Sequence, residues 1–202
     1  AALALYQQLG DGRWQARCLK ELGDLALEEV SDLDEARARF EAALALYRQL
    51  GVLEGQADCL HGLGGVARKR ADHAEARAHV EAARALYEQV GDLNGQAACV
   101  FAVGTIALAR SQHAEARVHV EAALALYRQD DYLPGQANCI CSLGDIAVER
   151  GDLDEARTRM EAALALFQQI GQRHGQAHCL HSLGLIADDK KDHDEARARY
   201  EE

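Results

Sequence analysis

The feature that most constrains this chain is that it repeats itself. The tripeptide Glu-Ala-Arg begins at Glu35, Glu75, Glu115, Glu155 and Glu195, once every 40 residues. A Gly preceded by Leu or Val falls at Gly23, Gly64, Gly104, Gly144 and Gly184, at intervals of 41, 40, 40 and 40. Cys18, Cys59, Cys99, Cys139 and Cys179 keep the same register. A unit of this length cannot bury its apolar surface alone, so successive copies must stack. The additional residue of the first unit lies within "LEEVSDLDEA", where "VERGDLDEA" stands in the fourth, and is expected at a turn.

Each unit reads as two helices. A first helix such as residues 56–70 sets Leu60, Leu63, Gly64 and Ala67 on one stripe, and a second such as residues 74–90 sets Ala76, Val80, Ala83, Tyr87 and Val90 on another. Between them, Asp32, Asp72, Asp152 and Asp192 each stand three residues before a Glu. That spacing suits an N-cap whose glutamate reaches back to the cap's own N–H. The second break carries Gly near each end, as in "GVLEG", "GDLNG" and "GQRHG", with Pro134 in "DYLPG". Glycine there suits a helix C-terminus. Gly64 and Ala83 are small enough to let neighbouring helices approach.

The totals narrow the function. The chain is 49% apolar and 27% charged, which fits a packed core under a hydrated surface. A net charge of −11 argues against general affinity for DNA, RNA or an anionic membrane, since phosphate binding relies on clustered Lys and Arg. No apolar run approaches the ~18 residues of a membrane span. The opening "AALALYQQLG" has no basic leader or cleavage pattern, so a reduced, cytoplasmic setting is the expectation. There is no phosphate-binding Gly-Lys-Ser/Thr loop, no Gly-x-Ser-x-Gly elbow and no His-Glu-x-x-His. A non-catalytic protein without a cofactor is expected.

The stretch "HGQAHCLHSLG" at residues 174–184 is the strongest apparent exception. Cys179, however, shares its register with four other cysteines beside the packing stripe, where a thiol behaves as a small apolar group. Equivalent positions in successive units lie about 10 Å apart. That exceeds the ~7 Å Cα limit for a disulfide and is too wide for in-register cysteines to share one zinc ion. Cys141 alone is out of register. His178 and His181 could share a helix face, with Asp188 seven residues beyond His181. Yet the place of His181 is taken elsewhere by Lys20, His61, Phe101 and Cys141, an assortment that marks an exposed, variable position. No metal site and no thiol nucleophile is expected. His73, His113 and His193 stand where other units have Leu33 and Leu153, and His79 and His119 match Arg39 and Arg159. Both sets read as structural or solvated.

The Leu143-Gly144 pair, the Gly151-Asp152 turn, and Ala156, Met160 and Ala163 on the second helix resemble the tetratricopeptide repeat. The aromatic usual after the Leu-Gly pair is replaced by Ala67, Ala107 or Ala147, and the period is 40 rather than the commoner 34. That longer form is similar to repeats of the LGN/Pins family and of bacterial signalling regulators. The resemblance covers essentially the whole chain. It implies an all-α fold, a right-handed superhelical solenoid of antiparallel helix pairs. Repeats are expected at 15–50, 56–90, 96–130 and 136–170, with the end of a preceding helix at 1–10 and a truncated fifth repeat at 176–202.

The second helices are nearly copies, whereas the first helices differ most on the stripe opposite their packing face. In the family that stripe lines a concave groove. Its residues here include Lys20, His61, Arg68 and Lys69, then Phe101, Thr105 and Leu108, then Asn138, Asp145 and Glu149, and finally His178, His181 and Asp188. The series runs from partly basic through apolar to acidic, with Phe101 and Leu108 expected as exposed anchors. The resemblance implies a protein or peptide partner, a helix or an extended segment, held by an apolar centre and complementary charges. A second reading is a sensor or regulatory arm of a larger signalling ATPase or transcriptional regulator. Because the chain opens and closes inside second helices, it is expected to be a fragment of a longer array. Its ends would then expose Tyr6 and Leu9, surfaces through which an end-to-end dimer could form.

Overall fold

The computed structural model describes residues 1–28 and 32–201. The turn expected within "LEEVSDLDEA" includes residues 29–31 and lies outside them. All described regular structure is helical. The chain divides into two compact units, Ala1–Arg110 and Ser111–Glu202. The first holds α1 (Ala2–Leu9), α2 (Gly12–Glu28), α3 (Leu33–Leu50), α4 (Leu53–Lys69), α5 (His73–Val90) and α6 (Leu93–Ala109). The second holds α7 (His113–Gln129), α8 (Leu133–Glu149), α9 (Leu153–Gln169), α10 (Arg173–Asp189) and α11 (His193–Glu201).

The caps follow the sequence in part. Oδ1 of Asp32, Asp72 and Asp192 accepts from the backbone N–H of Glu35, Glu75 and Glu195 at 2.9, 2.9 and 3.1 Å. Asp152 makes no such bond and pairs with Arg150 at 3.3 Å instead. The expected return contact from the glutamate gives way to something stronger. Arg37 donates both terminal nitrogens to Glu75, at 2.7 and 3.3 Å. Arg117 does the same to Glu155 at 2.9 and 3.1 Å, and Arg157 to Glu195 at 2.8 and 2.9 Å. A bidentate guanidinium outcompetes a neutral amide for a carboxylate. Those hydrogen bonds hold Glu75 and Glu155 below the usual carboxylate range.

The second break also departs from expectation. Gly51 and Gly91 are left-handed C-caps at φ 68° and 74°, and the next helix starts two residues later. Gly55 and Gly95 therefore lie inside the first turn of α4 and α6. Pro134 lies in the first turn of α8, where a missing N–H is tolerated. Gly55, Gly95, Gly135 and Gly175 are hollows for the last aromatic of the preceding helix. A Cβ on them would sit 2.6, 2.3, 2.5 and 2.5 Å from the rings of Tyr47, Tyr87, Tyr127 and Phe167. The following Gln in each case donates its side-chain N–H to the carbonyl of that same aromatic, at 3.0–3.4 Å. The next Ala is fully buried at 57, 97 and 137. One tripeptide, Gly-Gln-Ala, thus seats a ring, satisfies a helix-end carbonyl and closes the packing. Where Trp14 replaces the glycine, Tyr6 stacks on the indole at 5.8 Å between ring centres.

At the turns within repeats the left-handed position is held by Ala71 (φ 61°), Ser111 (58°) and Lys191 (61°), but by Gly151 in the fourth; at the break between α7 and α8 Asp131 (51°) takes the place that Gly51 and Gly91 hold elsewhere. A Cβ in this region costs about 1 kcal/mol. Ala71→Gly is therefore expected to raise stability slightly, by under about 1 kcal/mol once the freer unfolded chain is allowed for. A urea midpoint that falls would contradict this.

Within each unit the two sets of helices are arranged differently. The first helices touch one another, α2 on α4, α4 on α6, and α8 on α10. Among the described residues no Cα pair within 8 Å joins α3 to α5, α7 to α9 or α9 to α11. The long Arg-to-Glu pairs span those wider gaps. First helices thus form the closer, inner layer of each unit, and second helices the outer one.

Candidate functional site

The inner layer brings the expected stripe together unit by unit. Lys20, His61, Arg68, Lys69, Phe101, Thr105 and Leu108 fall in the first unit, on α2, α4 and α6. Asn138, Asp145, Glu149, His178, His181 and Asp188 fall in the second, on α8 and α10.

In the first unit the charges are more engaged than their sequence suggests. Lys20 pairs with Asp24 at 3.0 Å. Burial opposes its charge, but that hydrogen bond and the nearby Asp58 leave its pKa above the ordinary lysine value. Lys69 donates to the backbone carbonyl of Leu27. Arg68 is exposed. Asp58 accepts a 2.6 Å hydrogen bond from the Tyr87 hydroxyl, so it is positioned from the outer layer. His61 is half-buried, and burial holds its pKa below the usual value despite Asp58. Phe101, Thr105 and Leu108 are half-buried. The expectation of exposed anchors is corrected to partly covered ones, with α4 packed beside α6. The Thr105 hydroxyl donates to the Ala102 carbonyl at 2.8 Å.

Sequence reasoning missed a depression of about 510 Å³ beside this stripe, lined among others by Arg13, Trp14, Arg17, Lys20, Tyr47 and Asp58. Arg17 lies 5.2 Å over the Trp14 ring. The available signal was Trp14 itself, the one break in the Gly-Gln-Ala pattern. At the nearby end of the unit Leu9, Leu5 and Leu25 are exposed, whereas Tyr6 is half-buried under Trp14.

In the second unit Asn138, Glu149, His181 and Asp188 are exposed. His181 lies 5.9 Å from the Tyr200 ring, and Asp188 meets His193 at 3.1 Å. His178 does not join His181. It turns across to α8, with Nδ1 3.2 Å from the Cys141 sulfur and Nε2 3.8 Å from an Asp145 carboxylate oxygen. The Cys179 and Cys141 thiols share a hydrogen bond at 4.0 Å. That bond and burial push the Cys141 thiol up, and burial likewise raises Asp145. Burial opposes a charge on His178, yet Cys141 and Asp145 together hold its pKa above the usual value. The spacing rule for in-register cysteines does not reach Cys141, which is two residues off that register and faces the neighbouring first helix. Three of the other in-register thiols are buried and held in the protonated form. Burial pushes Cys59, Cys99 and Cys139 up to about 12. Among the described residues no helix is long and apolar enough to cross a membrane.

A family model described as Tetratricopeptide repeat matches residues 55–129 and 133–202, well over half of the chain. Comparison with curated proteins finds no match. Solved structures share the fold at low identity. BtubC (BKLC) from P. vanneervenii is 17% identical, with 99% of this chain and 84% of that one covered at a TM-score of 0.80. Aspartyl phosphate phosphatase F from Bacillus subtilis is 12% identical, with 92% and 58% covered at 0.75. A Rap protein complexed with competence and sporulation factor is 13% identical, with 96% and 63% covered at 0.71.

Proposed function

Because the chain belongs to the tetratricopeptide repeat family, we propose that it is a non-catalytic protein-interaction scaffold that holds a partner peptide or helix against its first helices. The observation that carries this reading is the packing of α2, α4 and α6 side by side, with Phe101, Thr105 and Leu108 still partly open on the face they share with Arg68. Variation between repeats concentrates on that face. A partner with an apolar anchor and an acidic flank fits the first unit, and a basic segment fits Asp145, Glu149 and Asp188 in the second. The neighbour solved with competence and sporulation factor supports ligand capture by an array of this fold. The second reading, a regulatory arm of a larger protein, draws on one fact: this chain spans only 58% and 63% of two of its structural neighbours.

Selection from a displayed peptide library tests the scaffold reading. Selected peptides are expected to lose roughly tenfold or more in affinity for a Phe101→Glu, Leu108→Glu variant of unchanged helicity. A Val118→Glu variant is the control, since Val118 is 63% exposed but on an outer helix. Equal loss in both variants, or loss only in the control, would contradict the reading.

A further inference from the structure

The cluster between α8 and α10 has donor chemistry that neither repeat packing nor peptide capture requires. Cys141 and Asp145 are four residues apart on α8, so they project from one face one turn apart. His178 meets them from α10. One donor atom from each of the three residues lies within 4.8 Å of the other two. Bonds of about 2.0–2.3 Å to a tetrahedral ion place its donors roughly 3.3–3.8 Å apart. The 3.2 Å from the Cys141 sulfur to His178 Nδ1 lies close to that range. The 3.8 Å to the Asp145 carboxylate is measured from the other ring nitrogen, Nε2, so ligation through one nitrogen needs a small side-chain adjustment within the 4.8 Å span. The Cys179 sulfur, 4.0 Å from that of Cys141, adds a second thiol at the edge of the cluster.

Register equivalents in other repeats show that packing alone does not produce this set. The positions of Cys141, Asp145 and His178 are held by His61, Gly65 and Ala98 between α4 and α6. Between α2 and α4 they are held by Lys20, Asp24 and Asp58. There an ammonium group already sits beside Asp24, 3.0 Å away, with Asp58 close enough to stabilise its charge. The α8–α10 cluster keeps the carboxylate and exchanges the lysine for a thiol.

We propose that Cys141, Asp145 and His178 bind one thiophilic divalent transition-metal ion, zinc by donor chemistry, and that the ion clamps α8 to α10. Sulfur, imidazole and carboxylate together match zinc and disfavour magnesium or calcium, which require oxygen donors. The sulfur is buried while the side chains of Asp145 and His178 are 44% and 45% exposed. The ion therefore has a route in from solvent, and a fourth position open to water or to Cys179. Binding releases the thiol proton, because the ligand is the thiolate.

The test is titration of the reduced, chelator-stripped protein with cobalt(II), whose thiolate charge-transfer and tetrahedral d–d absorption report sulfur ligation. One equivalent is expected to bind with both signals and to be displaced by zinc, while magnesium leaves the spectrum unchanged. His178→Ala and Asp145→Asn, both at partly exposed positions, should lose or strongly weaken the charge-transfer band, and Cys141→Ser should abolish it. His181→Ala, three residues from the site, should retain it. Zinc should also raise the thermal midpoint of the original chain and not that of His178→Ala. Absence of cobalt absorption, or absorption that survives His178→Ala and Cys141→Ser, overturns the proposal.

Discussion

Phe40→Ala is expected to destabilise the first unit by about 3–5 kcal/mol, the largest effect of any single truncation there. Phe40 is fully buried and is the largest side chain so enclosed in that unit. Its ring fills two hollows at once. A Cβ on Gly23 of α2 would lie 2.9 Å from it, and one on Gly62 of α4 would lie 2.6 Å away. The ring therefore joins the two first helices to the second helix between them, and truncation leaves a cavity that neither glycine can fill. Such a loss is a large fraction of an ordinary domain's total stability of roughly 5–15 kcal/mol. Urea unfolding followed by hydrogen exchange checks it, with α2 to α4 losing protection first. Phe40→Leu combined with Gly62→Ala should recover part of the loss, since it returns volume to the same hollow. A cost below about 1 kcal/mol for Phe40→Ala would show that the ring is not what couples the repeats.

Gly95→Ala is expected to cost about 3 kcal/mol, at the upper end for overpacking. The added methyl would sit 2.3 Å from the Tyr87 ring. That ring cannot easily retreat, because its hydroxyl is held by Asp58 at 2.6 Å and the residue is 5% exposed. Gly91, four residues earlier, separates space from backbone conformation. Nothing lies within 4 Å of a Cβ there, but its φ is +74°. Gly91→Ala should therefore cost only the left-handed strain, about 1 kcal/mol. Equal costs for the two substitutions would contradict the division of labour between these glycines.

That division marks where the sequence was legible and where it was not. Periodicity located the helix pairs, because apolar spacing and the 40-residue register depend only on local chain geometry. Cys59, Cys99 and Cys139 are buried where the same register places them beside the packing stripe. Gly55 and Gly95 looked like helix ends, because glycine needed for a left-handed turn and glycine needed for a ring are the same letter. Only the aromatic eight residues earlier tells them apart. Glu75, Glu155 and Glu195 looked like capping glutamates, but each is claimed by an arginine 38 residues before it. The same offset pairs Cys141 with Cys179, and an offset of 37 pairs it with His178. Contacts between adjacent repeats thus run just short of the period, a rule that appears only once the helices are stacked. The Cys141–His178 cluster is therefore invisible between positions one full period apart. The exposure of Phe101 and Leu108 likewise depends on how closely α4 packs against α6, which the pattern of a single helix does not encode.

The most direct measurement is site-specific photo-crosslinking to a peptide selected on the array. A photoreactive phenylalanine analogue is placed at Thr105 on the inner face of α6 or at Ala85, exposed on outer helix α5. The peptide is expected to be captured from position 105 and not from position 85, with capture at 105 suppressed by excess unlabelled peptide. Capture from 85 alone would place the binding surface on the outer layer and contradict the assignment of function to the first helices.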